Sequence, residues 1–139
     1  MKYTNIILGV ITALLIMGAG VYLLLDDTTT SEEPIQDIIP EEFSEVIESE
    51  EIFLVNTHTP YEGEIEGTDL IAEDWENIEA YTENLPEDKE DPIAVYCMSD
   101  RMSSYAAEQL AEMGYENIYN LEGGMIDWTE QGKEIIHRE

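Results

Sequence analysis

Residues 6–25 run for twenty positions without a charged side chain, and every acidic residue of the chain comes after them. Sixteen of those twenty are apolar. At about 1.5 Å of rise per residue, a helix of that length crosses the roughly 30 Å hydrocarbon core of a bilayer. The expectation is an N-terminal transmembrane anchor over residues 1–25, with the span at 6–25. A cleaved signal peptide would also open with a positive residue and an apolar run, but its run would be shorter. Here the small residues Gly18-Ala19-Gly20 are followed by more apolar chain. Lys2 precedes the span and Asp26-Asp27 follow it. The positive-inside tendency then makes this a single-pass protein with its acidic domain on the extracytoplasmic side.

Beyond the span, all 33 Asp and Glu residues face only Lys89, Arg101, Lys133 and Arg138, a net charge of −29. Phosphate contacts need clustered Lys and Arg, so a nucleic-acid binder is excluded, as is a polybasic membrane-surface segment. A single cysteine, Cys97, excludes a disulfide scaffold. The acids are spread over linker, helices and loops alike. Self-repulsion at that density is relieved by salt, and the pattern reads as a surface adapted to high salt. The Asp/Asn/Gly spacing of a calcium loop is absent, and no metal or cofactor is expected.

Residues 26–37 read as an acidic linker, rich in Thr and Ser and carrying Pro34. About 100 residues remain, enough for one core and not for two. A helix is expected after Pro40, with Phe43, Val46 and Ile47 on one face. Ile52 to Val55 has the character of a buried strand, and Asn56 to Asp69 that of a loop. The spacing predicts a second helix around Glu73 to Glu83 with Trp75, Ile78 and Tyr81. Ile93 to Tyr96 is the most strand-like run of the chain. A third helix is expected from Ser103 to Met113, ended by Gly114. Ile118 to Leu121 reads as a last strand, and Gly123-Gly124 lead to a terminal helix holding Trp128. Strands alternating with helices predict an α/β domain, with a mostly parallel sheet covered on both faces. Trp75 and Trp128 are both expected in the core.

Cys97 directly follows the Ile93–Tyr96 run and precedes Met98-Ser99-Asp100-Arg101-Met102-Ser103 and a helix. A strand, a short loop and a helix start form an anion-binding geometry, because the first helical N–H groups lack internal partners and the dipole adds positive charge. The thiolate is the nucleophilic form of cysteine, and such a place welcomes its negative charge. Arg101 falls in this loop as the local counter-charge. The plain alternative is a small hydrophobe closing a buried strand.

The run Val95 to Ser103, with Ala106-Ala107, Leu110 and Met113-Gly114-Tyr115, resembles the active-site loop and following helix of the rhodanese family. Asn117 to Met125 with Trp128 is similar to that family's closing segment, and Leu54 to Glu62 with Glu64-Ile65-Glu66-Gly67 to its first strand and loop. The resemblance runs from about Ile38 to Ile135 within the segment assigned to the domain, 38–139, and the three segments occur in the family's order. It implies a three-layer fold with a central parallel sheet of about five strands flanked by helices. It also implies sulfur transfer: Cys97 takes a sulfane sulfur from a donor such as thiosulfate and passes it to a thiol or cyanide acceptor. On that reading the N–H groups from Met98 to Ser103 hold the thiolate and then the persulfide. Arg101 holds the anionic donor, and the Ser99 and Ser103 hydroxyls add hydrogen bonds, the logic of an oxyanion hole. Cysteine-dependent phosphatases of related fold place an arginine six positions after the cysteine, where this chain has Ser103.

The chain departs from the family pattern at several places. Met98 and Met102 stand where basic residues are common, and Asp100 stands where glycine is common. Aspartate tolerates a left-handed backbone better than most residues, but its charge opposes an anionic donor. Asn56 replaces a frequent aspartate and His58 a frequent arginine. His58 is expected as a surface or hydrogen-bonded loop residue. The alternatives to an enzyme are a rhodanese-fold binding module without turnover and a thiol redox sensor, the latter needing an outside thiol because no second cysteine exists.

Overall fold

The computed structural model describes residues 33–49 and 51–139. The expected membrane span at 6–25 lies outside the described residues. Among the described residues, no helix is long and apolar enough to cross a membrane. In chain order the elements are β1 (Ile35–Ile38), α1 (Pro40–Ser49), β2 (Phe53–Asn56), β3 (Leu70–Ile71), a 3-10 helix (Ile78–Tyr81), β4 (Ile93–Tyr96), α2 (Arg101–Glu112), β5 (Ile118–Leu121) and α3 (Gly124–Glu130). The five strands form one sheet in the order β1-β5-β4-β2-β3, and every pairing is parallel. The expected α/β fold with a central sheet of about five strands is therefore present.

Alternation along the central strand divides the core in two. Ile93 and Val95 of β4 face α2, where Ala106, Ala107, Leu110 and Tyr115 complete one cluster. Ala94 and Tyr96 face the other way, onto Phe43 of α1 and Met125 and Trp128 of α3. A strand buried on both sides must be apolar throughout, which is why Ile93 to Tyr96 is legible as an unbroken run.

Three expectations change. The linker was expected to run to residue 37, but Ile35 to Ile38 pair with Ile118 to Leu121 as an edge strand. Only the outer residues of β1 are half-buried, and Gln36 and Asp37 are exposed, so four residues carry no visible pattern. The helix expected at Glu73–Glu83 is reduced to the single 3-10 turn Ile78–Tyr81. Its marker residues Trp75, Ile78 and Tyr81 are spaced by three, the period of a 3-10 helix rather than of an α-helix. Finally, α2 begins at Arg101, two residues before the expected start, so Arg101 and Met102 belong to the helix and not to the loop. Gly114 ends that helix as expected, with φ +92°.

Candidate active site

Parallel sheets of this class hold ligands at the carboxyl ends of their strands. Cys97 is the first residue beyond β4 at that end, and it is 1% exposed. Only residues 97–100 connect β4 to α2, so the thiol stands close to the helix start.

Two neighbours hold the connection in shape. The Met125 N–H donates to the Cys97 carbonyl at 2.9 Å, and the Ile126 N–H donates to the Met98 carbonyl at 3.1 Å. In a trans peptide the N–H points opposite to the C=O, so the N–H groups of Met98 and Ser99 are turned away from α3. Gly124, at φ +60°, makes this approach possible: a Cβ there would stand 2.5 Å from the Cys97 carbonyl oxygen and 2.6 Å from that of Met98. Asp100 completes the turn with φ 72°, the one non-glycine residue with positive φ among the described residues. The left-handed conformation expected where glycine is common is thus adopted by aspartate. Its Oδ2 accepts the Gly123 N–H at 3.2 Å.

Among the described residues, none of the N–H groups from Met98 to Ser103 donates to a backbone carbonyl. The first amide of α2 that is satisfied is Ser104, which donates to the Asp100 carbonyl at 2.8 Å. The Ser103 side chain is fully buried, and its Oγ lies 3.5 Å from Cys97 Sγ and 3.0 Å from the Asp100 carbonyl. A hydroxyl has one proton. With a neutral thiol it donates to Asp100 and accepts from sulfur; with a thiolate it can turn and donate to sulfur.

Arg101 does not fill the loop as expected. It is the first residue of α2 and is exposed. The other three cations of the described residues are engaged: Arg138 Nε with Glu64 at 2.8 Å, Lys89 Nζ 3.6 Å above the Tyr115 ring, and Lys133 Nζ 5.0 Å above the Trp128 ring. Arg101 alone among them has neither an ion pair nor a ring contact. Ser99 is exposed, while Met98, Asp100 and Met102 are half-buried, and Met98 packs on the cluster containing Tyr96 and Met125.

Of the two expectations for His58, the hydrogen-bonded loop residue is the one the structure shows: it is 7% exposed, with Nε2 2.6 Å from Glu62 Oε2 and its backbone N–H on Asn56 Oδ1 at 2.9 Å. Asn56 in turn donates to the Gly63 carbonyl at 3.0 Å. The two residues at the family's frequent Asp and Arg positions thus organise the loop after β2. Trp128 is in the core, but Trp75 is half-buried and meets Tyr105 of α2 edge to face.

Sequence reasoning missed what Gly123-Gly124 do. The pair was legible as a helix lead-in, but nothing in a single sequence says that Gly124 lies against the Cys97 carbonyl. It also missed Tyr96 as a pin, since its apolar run hides a hydroxyl that accepts the Ile65 N–H at 2.9 Å. Size is no guide to the site either. Two cavities of about 560 Å³ each lie toward the strand starts, one against Leu54, Trp128 and Lys133, the other against Phe53 and Pro92, and neither touches Cys97.

Known proteins share this fold. A solved rhodanese-related protein from Thermoplasma volcanium superposes with a TM-score of 0.61 at 24% identity, covering 73% of this chain and 97% of its own. A rhodanese-like domain protein from Staphylococcus aureus gives 0.59 at 25% identity, covering 74% of this chain and 99% of its own. A protein of unknown function from Rhodopseudomonas palustris, called a possible tyrosine phosphatase, gives 0.61 at 22% identity, with 73% and 84% covered. The family profile described as Rhodanese-like domain matches residues 39–131, more than half of the chain. The chain belongs to the rhodanese-like domain family.

Proposed function

We propose that this protein is a single-domain sulfurtransferase, held to a membrane by residues 6–25 with its domain on the extracytoplasmic side. A Cys97 thiolate attacks the sulfane sulfur of an anionic donor such as thiosulfate. The new S–S bond forms as the donor's S–S bond breaks, and sulfite leaves with the electron pair. The persulfide then gives its outer sulfur to a thiol or cyanide, and the pair of the broken bond returns to Cys97 Sγ.

One observation carries the reading: Cys97 stands at a strand-to-helix turn whose N–H groups, Met98 to Ser103, have no carbonyl partner among the described residues. Donors of that kind stabilise negative charge where it resides before and after transfer. Ser103, where phosphatases of related fold place an arginine, lies within 3.5 Å of the sulfur and supports sulfur rather than phosphate chemistry.

Full-length protein in molar salt, treated with thiosulfate, should gain one sulfur atom on Cys97 by mass, and cyanide should remove it as thiocyanate. Cys97→Ser must abolish both. Retained turnover in that variant would overturn the assignment. The near-complete burial of Cys97 favours, as a second reading, a binding module without turnover over a thiol redox sensor, whose cysteine has to be open to the oxidant. That module would remain unloaded by thiosulfate, and a redox sensor would react faster with peroxide.

A further inference from the structure

The peptide bonds on either side of Cys97 are each held by a neighbouring segment. After it, the Cys97 carbonyl takes the Met125 N–H at 2.9 Å. Before it, the Tyr96 carbonyl takes both donors of Thr57, the N–H at 2.9 Å and the hydroxyl at 3.1 Å. Thr57 is the first residue beyond β2 and stands beside the end of β4, because Asn56 and Tyr96 are register partners. It is 0% exposed. Its neighbours are fixed in turn: the His58 N–H reaches back to Asn56 Oδ1 at 2.9 Å, and Asn56 Nδ2 donates to the Gly63 carbonyl at 3.0 Å.

A buried hydroxyl needs a partner, so a bond to some carbonyl is ordinary at this position. The choice of carbonyl is the informative part. The Tyr96 oxygen already holds the Thr57 N–H, so a second donor is not needed to satisfy it. Valine would continue the strand with a similar branched shape and leave no polar atom to satisfy. The oxygen that receives the hydroxyl belongs to the peptide plane that fixes Cys97 N and Cα, a few covalent bonds from Sγ. With its second lone pair bare in a buried place, that oxygen would oppose negative charge on the sulfur.

We infer that Thr57 is a positioning residue for Cys97: its hydroxyl fixes the Tyr96–Cys97 peptide and draws negative charge off the carbonyl oxygen that precedes the sulfur. The inference rests on the sulfurtransferase reading above and adds a residue to that site. Thr57 is closed off from solvent and acts through the Tyr96 carbonyl. Its hydroxyl should therefore govern how fast a bound donor is attacked and not how tightly the donor is bound.

The test compares matched pairs of full-length protein in molar salt. The unaltered protein and Thr57→Val share a branched side chain and differ in the hydroxyl. Thr57→Ser and Thr57→Ala both lack the methyl and differ in the same way. Mass spectrometry follows loading of Cys97 against thiosulfate concentration, circular dichroism reports folding, and urea unfolding reports stability. Thr57→Ser should load at saturation within about twofold of the unaltered protein, although losing a buried methyl lowers its stability. Thr57→Val and Thr57→Ala should load about tenfold more slowly at saturation, the scale of one buried hydrogen bond, with the half-loading concentration unchanged. Should Thr57→Val not fold, the Ser and Ala pair decides by itself. Equal rates within each pair, rates that follow stability instead of the hydroxyl, or a raised half-loading concentration at unchanged rate overturn the inference alone. Failure of the unaltered protein to load overturns the sulfurtransferase reading and this inference with it.

Discussion

The Asp100 carboxylate accepts the Gly123 N–H at 3.2 Å, so the acidic side chain in the loop after Cys97 is tied to the turn that opens α3. Its backbone and its side chain therefore serve the same end. A left-handed φ of 72° carries the chain into α2, and the carboxylate fastens that turn to the next strand's exit.

Asp100→Asn separates charge from shape. Asparagine keeps an acceptor for Gly123 and tolerates the left-handed backbone, so stability should change by less than about 1 kcal/mol. Removing one negative charge beside the site should lower the thiosulfate concentration needed for half-maximal loading by about threefold to tenfold at low salt. Loading rates measured against thiosulfate concentration decide this, and no change would mean the charge is not felt at the site.

Arg101→Ala should act in the opposite direction. Arg101 is exposed and forms no ion pair among the described residues, so urea unfolding should be unaffected. The half-loading concentration of thiosulfate should rise about tenfold, the scale of one lost charge-assisted hydrogen bond.

Gly124→Ala tests the clamp on the loop. The added methyl would meet the Cys97 and Met98 carbonyl oxygens at 2.5 and 2.6 Å, both backbone atoms that cannot swing aside. Left-handed strain adds to the clash, and the loss should reach at least about 2 kcal/mol in urea unfolding. Loading of Cys97 should fall with it, because α3 can no longer hold the two carbonyls.

Tyr96 gives a pH signature. Its hydroxyl accepts the Ile65 N–H at 2.9 Å and shares a proton with Thr68 Oγ at 2.6 Å. Burial pushes the hydroxyl well above its ordinary value of 10, more than these hydrogen bonds pull it down. A raised value means that the folded state holds the proton more tightly than the unfolded one. The stability from the neutral hydroxyl is complete below about pH 10 and is lost as pH rises beyond it. Tyr96→Phe should cost about 1–3 kcal/mol near neutrality. The gap between variant and unaltered protein should narrow by about pH 11 in urea titrations.

The high-salt reading of the acidic surface makes its own prediction. With 33 acids against five Lys and Arg, self-repulsion opposes compaction, and screening relieves it. The melting temperature of the full-length protein should climb steadily with potassium chloride. A flat response would count against that reading.

The sequence by itself determined the class of fold and the place of the sulfur. Ile93 to Tyr96 is apolar at every position because both faces of β4 are covered, and Cys97 follows it just ahead of a run whose order of residues reads as a helix, though not where that helix starts. Local patterns of that kind survive in one dimension. Tertiary structure decided the rest. Ile35–Ile38 became a strand only because β5 supplied its partner, and Trp75 stands half-buried against Tyr105 on a loop that Gln109 ties to α2. Whether the loop amides stay free depended on Gly124 lying against a carbonyl 27 residues earlier. Hydrogen bonds and close approaches between distant segments have no period in the sequence, so only the folded chain brings them together.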